Sequence, residues 1–310
     1  MRIINLKHPE KEMSLFRGCG LCLGHFDGLH IGHRALIEEL KRISGGFRPP
    51  LPLGALCFSK PPAFYLSRNP APQLTTLKEK LMLLRQAGLS FVILYDFPEI
   101  MSYSPEEFVK HILIKDCACQ TVTCGFNYTF GAGGAGTPTM LADLFEKKIG
   151  RKISVVGPVL HAGRPVSSTG IRKLLEQGRV KEATLLLGRP YFITGTVQSG
   201  RHVGHTMDAP TANLLFPPEK LIPKHGVYAS RVKIGRKTYN ALTNIGVRPT
   251  FDDGDTVTFE TFVLNYHGDL YGRPLQVDLL GYIRPEKRFS DPSLLEYQIK
   301  DDIESADAFF

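Results

Sequence analysis

Leu23–Leu40 reads LGHFDGLHIGHRALIEEL, and its reading decides the first half of the fold. Gly24, Gly28 and Gly32 punctuate a turn, and apolar residues then recur at helical spacing from Ile31 onward. A segment that leaves a buried strand, turns on glycine and opens a helix is where α/β proteins hold phosphate, because a helix N-terminus carries unpaired N–H groups. His30 and His33 are three apart, which places both on the first helical turn, side by side. Two imidazoles there can donate hydrogen bonds to a phosphate whose charge is rearranging, an electrostatic catalysis that needs no covalent intermediate. A lone histidine would read as core or surface. Two within GHFDGLHIGH, after a strand and at a helix start, read as catalytic.

The same grammar continues to about residue 187. GCGLCLG, LGALCF, SFVILYDF, QTVTCGF and KISVVGPV read as strands, several without polar alternation, as in a parallel sheet buried on both faces. Helix starts lie between them. Ser104-Pro-Glu-Glu107 and Thr76-Leu-Lys-Glu79 are capping boxes, and Thr137-Pro138 opens a helix that Gly150 ends. Alternating strands and helices predict a doubly wound, Rossmann-like parallel sheet. From Tyr191 the runs YFITGTVQ, GVYASRVKI, KTYNALTNI, TVTFETFVLNY and LQVDLLGYI alternate with Gly, Pro, Asn and Asp turns, and a helical pattern returns only in DPSLLEYQIKDDIESA. This predicts a small antiparallel β-barrel with a C-terminal helix. The expected domains are therefore 1–187 and 188–310.

The 310 residues, 43% hydrophobic and 22% charged, suffice for two cores. No apolar run reaches membrane-spanning length and the charged start does not read as a signal peptide, so the expectation is a cytoplasmic protein with no membrane partner. The net charge of +8 fits anionic substrates, nucleic acid or an acidic surface and does not choose among them. With no dense basic run interleaved with aromatics, nucleic acid is not an expected partner. Cys19 and Cys22 match C-x-x-C, but on one strand they point to opposite faces and cannot share a metal without a turn. Reduced thiols, several of them small apolar strand residues, are expected.

Further polar clusters could serve phosphate. VSSTGIRKLLEQG places Ser167, Ser168 and Thr169 before a helix with Arg172 on its first turn, and hydroxyls, helix N–H groups and a guanidinium make a pyrophosphate clamp. Plain N-capping by Thr169 is the competing reading. In APTANL, Thr211 and Asn213 are two apart, so an extended segment sets both on one face, where with ATP phosphates they could complete a magnesium shell. An ordinary Thr- and Asn-rich turn is the alternative there. Upstream, SGRHVGHT could wrap phosphates with backbone N–H groups. Glu260, in TVTFETFVL, reads by itself as a solvent-facing strand carboxylate.

GHFDGLHIGH with VSSTGIR resembles the nucleotidylyltransferase superfamily. With GFNYTFGAGGAG, APTANL, GVY, NIGVRPTF, FETFVL and DLYG in order, the whole chain resembles the prokaryotic bifunctional riboflavin kinase/FMN adenylyltransferase family, also called FAD synthetase. The resemblance implies phosphorylation of riboflavin to FMN and adenylylation of FMN to FAD, each with ATP and Mg2+. An FAD synthetase with a kinase-inactive, flavin-binding second domain is the alternative. For adenylyl transfer it implies ATP over Gly24, Phe26, Asp27 and Gly28, with His30 and His33 on the α-phosphoryl oxygens. Ser168, Thr169 and Arg172 would hold pyrophosphate, and Phe58, Asn127 and Phe130 the flavin. For the kinase it implies ATP at Gly200, Gly204, Thr206 and Pro210, Mg2+ at Thr211 and Asn213, and Glu260 as the base for the terminal ribityl hydroxyl. Asn127 stands where an aspartate is usual, and Asp208-Ala209 where Gly-Phe usually precedes PTAN.

Overall fold

The continuous apolar runs form one all-parallel sheet. Its strands are β1 (Arg2–Asn5), β2 (Gly20–Leu23), β3 (Leu53–Phe58), β4 (Phe91–Tyr95), β5 (Thr121–Gly125) and β6 (Ser154–Val156), in the order β1-β4-β3-β2-β5-β6. The computed structural model describes residues 1–5, 16–198, 211–250, 254–287, 289 and 291–310, and the chain divides into units Met1–Ser167 and Ser168–Phe310. Five strands fall inside the predicted runs. Edge strand β1 lies outside them, with only Ile3 and Ile4 as apolar residues between Arg2 and Asn5. The chain runs outward from β2 through β3 to β4 and then returns to β5 on the other side. The carboxyl end of β2 is thus the switch point, where open α/β sheets receive ligands.

Helix α1 (Ile31–Ser44) follows β2 and buries Leu36, Ile37, Leu40 and Ser44, while Lys41–Glu38 and Arg42–Glu39 ion pairs occupy its outer surface. The buried Thr123 hydroxyl on β5 donates to the Leu36 carbonyl at 3.2 Å, tying helix to sheet. Both capping boxes form, Thr76–Glu79 at the head of α2 (Leu77–Gln86) and Ser104–Glu107 at Pro105. The helix begun at Pro105 continues through Phe108–Asp116 in the wider π form, ending with Cys117 N–H on the Ile112 carbonyl. Helix α3 (Pro138–Ile149) has Thr137 as N-cap and Gly150 as C-cap. A short antiparallel pair, β7 (Leu160–His161) and β8 (Arg164–Pro165), precedes the second unit.

Cys19, just before β2, and Cys22 on it have different partners. Cys19 donates to the Cys117 carbonyl and lies 4.0 Å from Cys119 Sγ, whereas Cys22 donates to the Gly54 carbonyl. Burial raises the pKa of the Cys57 thiol to about 11, which favours its neutral form.

The second unit begins with α4 (Ser168–Glu176) and α5 (Val180–Leu187). The compositional change near Leu187 falls after these helices, but their packing belongs to the barrel side. Helix α5 buries Val180, Ala183 and Leu187 and lies against the first and last barrel strands, and Lys224 N–H bonds the Leu175 carbonyl of α4. The closed barrel has the order β10-β13-β12-β11-β14-β9, built from β9 (Tyr191–Gln198), β10 (Thr211–Leu214), β11 (Gly226–Ile234), β12 (Lys237–Thr250), β13 (Gly254–Val263) and β14 (Pro274–Arg284). All pairings are antiparallel. Thr211–Leu214 supplies the closing strand. Buried hydroxyls of Ser230, Thr243 and Thr261 bond one another inside it. Helix α6 (Pro292–Ala306) covers part of the outer face, where Leu242, Phe262, Leu280 and Ile283 meet Ile299 and Ile303.

Candidate functional site

In the first unit the site is the turn between β2 and α1. Phe26 adopts the left-handed region (φ 55°), which costs about 1 kcal/mol or more for a side-chain-bearing residue. Its fully buried ring, edge-on to His33 at 5.4 Å, fixes it there. Gly28 follows at φ 77° inside a one-turn 3-10 helix, a conformation glycine adopts without that cost. His30 stands one residue earlier than the sequence placed it: it is the N-cap of α1, and its Nδ1 accepts from His33 N–H at 3.3 Å. A cap needs extended backbone and an acceptor, and His30 provides both (φ −68°, ψ 172°). The two imidazoles stack with centroids 3.7 Å apart and planes 17° apart.

Because His30 Nδ1 accepts, its proton sits on Nε2, and the ring stays a neutral donor. Burial lowers its pKa to about 4, against a smaller upward pull from Asp27. Burial likewise takes His33 well below the ordinary histidine value, assisted by His30, His25 and Lys80. The buried Nδ1 of His33 has no hydrogen-bond partner among the described residues.

Asp27 is buried at 2% exposure and braces the turn from below. Its carboxylate accepts the N–H groups of Leu74 and Thr75 at 3.1 Å each and the Thr75 hydroxyl at 3.3 Å. That hydroxyl in turn accepts from Gly28 N–H at 3.1 Å. Lys80 on α2 is equally buried; burial lowers its pKa while Cys57 and Asp27 pull it back up. Thr75 and Lys80 lie in TTLKEK, whose local pattern marks only a helix start. The available signal was a lysine in line with the buried Leu83 and Leu84.

The other residues expected in this half lie on several elements. Phe58 ends β3 in an aromatic group with Phe97 at 5.4 Å, to which Tyr65 stacks at 6.0 Å. Asn127 is exposed. Phe130 is 5% exposed and packs on Phe108 and Tyr128, so its ring is mostly core. Gly24 lies against the Phe26 ring, where an added Cβ would stand 3.2 Å from it. Helix α4 starts at Ser168, so Ser168 and Thr169 lie in its first turn rather than before it, Arg172 is one turn on, and only Ser167 precedes it.

In the second unit the barrel's outer face brings together residues distant in sequence. Thr211 and Asn213 are half-buried and alternate with buried Ala212 and Leu214, so they share the outer face as the spacing predicts. Register then pairs Asn213 with Glu260 and Glu260 with Asn244, a row across β10, β13 and β12. Glu260 is half-buried, flanked along its strand by inward-facing Phe259 and Thr261. Asn244 Nδ2 donates to Glu286 at 3.2 Å. Gly200, Gly204, Thr206 and Pro210, with Asp208 and Ala209, lie outside the described residues.

A switch-point helix start carrying neutral histidines, followed by a barrel with a carboxylate between two amides, defines a two-unit protein of phosphate-group transfer. The family model described as FAD synthetase matches residues 12–170, and that described as riboflavin kinase matches residues 187–310. A relative in Listeria monocytogenes, a bifunctional riboflavin kinase/FMN adenylyltransferase, is 32% identical over 94% of this chain and 92% of its own. One of the same description in Escherichia coli is 34% identical over 99% and 96%. A crystal structure described as a macrolide-efflux protein from Streptococcus pneumoniae is 30% identical, covers 99% of both chains and superposes with a TM-score of 0.88. The chain belongs to the bifunctional riboflavin kinase/FMN adenylyltransferase family. No helix among the described residues is long and apolar enough to cross a membrane.

Proposed function

We propose that this chain makes FMN from riboflavin and FAD from FMN, with one ATP consumed in each step. The observation that carries the reading is that both family models match in order along a chain aligned nearly end to end with bifunctional relatives. Residues 188–310 perform the first reaction. Glu260 takes the proton of the terminal ribityl hydroxyl, whose oxygen attacks the γ-phosphorus of ATP as ADP leaves. Thr211 and Asn213 fit a magnesium ion, being hard oxygen donors on one half-buried face beside a carboxylate. When bound, that ion neutralises triphosphate charge. Gly200, Gly204, Thr206 and Pro210 hold the ATP of this step.

Residues 1–187 perform the second. The FMN phosphate attacks the α-phosphorus of another ATP in line, and pyrophosphate leaves. ATP lies over Gly24, Phe26, Asp27 and Gly28, the last three meeting it through backbone because Phe26 and Asp27 turn their side chains inward. His30, through its Nε2 proton, and His33 donate to the α-phosphoryl oxygens. They act as neutral, preorganised donors, in keeping with pKa values held down by burial. Ser168, Thr169 and Arg172 receive the departing pyrophosphate, and Phe58, Asn127 and Phe130 form the flavin side. The protein works in the cytoplasm on riboflavin, FMN and ATP.

A kinase-inactive second unit is the weaker reading, since Thr211, Asn213 and Glu260 share one outer face. The test is to incubate the purified protein with riboflavin and MgATP and separate the flavins. Sequential appearance of FMN and FAD is expected. FAD from supplied FMN without any phosphorylation of riboflavin would overturn the two-step function.

A further inference from the structure

Asn244 belongs to no role yet assigned, although it is the third member of the row that contains Glu260. Its amide is oriented unambiguously. Glu286 can only accept, so the contact at 3.2 Å must be made by Nδ2, which leaves Oδ1 as the remaining functional atom. That oxygen is buried and has no hydrogen-bond partner among the described residues. An orphaned buried acceptor costs about 1–3 kcal/mol of lost hydration unless something supplies a donor.

The clamp on this amide is built into the strand. Two residues along β12, a Cβ at Gly246 would stand 2.1 Å from Glu286 Oε1, so only glycine lets the carboxylate sit there. Asn244 and Gly246 are two apart and share a face. Glu286 therefore rests over Gly246 and grips Asn244 from one side.

Asn244 and Glu260 are directly paired, which sets their Cβ atoms about 5 Å apart on one face. Both present oxygen acceptors, and two acceptors cannot bond one another. A polyol with hydroxyls on neighbouring carbons satisfies both at once. We infer that Asn244 Oδ1 accepts a hydrogen bond from a ribityl hydroxyl next to the one that Glu260 deprotonates, and that Glu286 is a positioning residue that holds the amide in that orientation. This rests on the reading of Glu260 as the kinase base. It makes Asn244 a selector for the polyhydroxyl chain of the flavin rather than for its ring.

The experiment compares riboflavin with lumiflavin, which has the ring and lacks the ribityl chain, by fluorescence titration of the full-length protein. Asn244→Ala is expected to weaken riboflavin binding and raise its KM about fivefold to tenfold, with lumiflavin affinity, the KM for ATP and FMN adenylylation unchanged. Asn244→Leu, close in volume, must give the same split should the alanine variant fail to fold. Glu286→Ala should move riboflavin affinity in the same direction by less, and combined with Asn244→Ala it should add nothing. Equal weakening of both flavins, or an unchanged riboflavin affinity, overturns the inference. Absence of riboflavin phosphorylation by the unsubstituted protein overturns the kinase reading instead, and the two-flavin comparison still decides Asn244.

Discussion

The two proposed phosphate sites are built by opposite means. In the first unit a run of eleven or so residues does nearly everything, since strand end, cap and stacked histidines are contiguous and the support from Asp27 lies beneath them. In the second unit no contiguous run suffices: Asn213, Glu260 and Asn244 become neighbours only through the register of three strands. The first site is a buried turn whose donors are kept neutral by burial, and the second is a half-buried sheet face. A helix-start site depends on backbone conformation, whereas a strand-row site depends on pairing.

If the sites are chemically independent, single substitutions should separate them. The largest effect is expected from Glu260→Gln, which keeps shape and removes the base: riboflavin phosphorylation should fall about a hundredfold or more while supplied FMN is still adenylylated. His33→Ala should do the reverse, lowering adenylylation about a hundredfold and sparing phosphorylation. Parallel loss of both activities in either variant, measured on the same preparation, would break the comparison.

A smaller effect sharpens the contrast in construction. Asp27→Ala removes the acceptor of the Leu74 and Thr75 N–H groups and of the Thr75 O–H, together with the carboxylate that pulls the Lys80 pKa back up. Loss of roughly 3 kcal/mol or more is expected in the denaturant transition of the first unit, together with reduced adenylylation. The riboflavin kinase rate at low temperature should hold. An unchanged transition would show that Asp27 is not the brace.

A further contrast is in pH. His30 has a folded pKa of about 4 against an ordinary 6.5, so between these values the unfolded chain binds a proton that the folded chain refuses. His33 is displaced in the same direction. Stability from these rings is complete above about pH 6.5 and lost as pH falls toward 4, with a slope of at most about 1.4 kcal/mol per pH unit for each. Replacing both by Asn should flatten the curve of stability against pH between 6.5 and 4.5, and equal slopes in the two proteins would exclude the histidines as its source.

Legibility in the sequence followed the range of the interactions. The capping boxes at Thr76 and Ser104 and the Thr137 cap form as read, because each is closed within four residues. Strands β2 to β6 were visible as short runs, several without polar alternation. Edge strand β1 was not, and the widening of the helix after Glu107 left no mark that spacing could show. His30 was expected inside the helix, but its side chain competes for the His33 N–H and so it caps the helix instead. Phe130, which the resemblance sets on the flavin side, packs on Phe108 and Tyr128, contacts that spacing alone does not show.

By itself the sequence determined a doubly wound sheet followed by a barrel, the helix start at the switch point, and which residue types could serve phosphate. Periodicity and capping are local, and the chain spells them out. Tertiary structure alone decided that Asp27 turns down onto Leu74 and Thr75, that Lys80 is buried, and that Glu286 rests on Gly246 beside Asn244. These contacts join segments separated by tens of residues, and only strand register and the closure of the barrel fix which of many polar side chains meet.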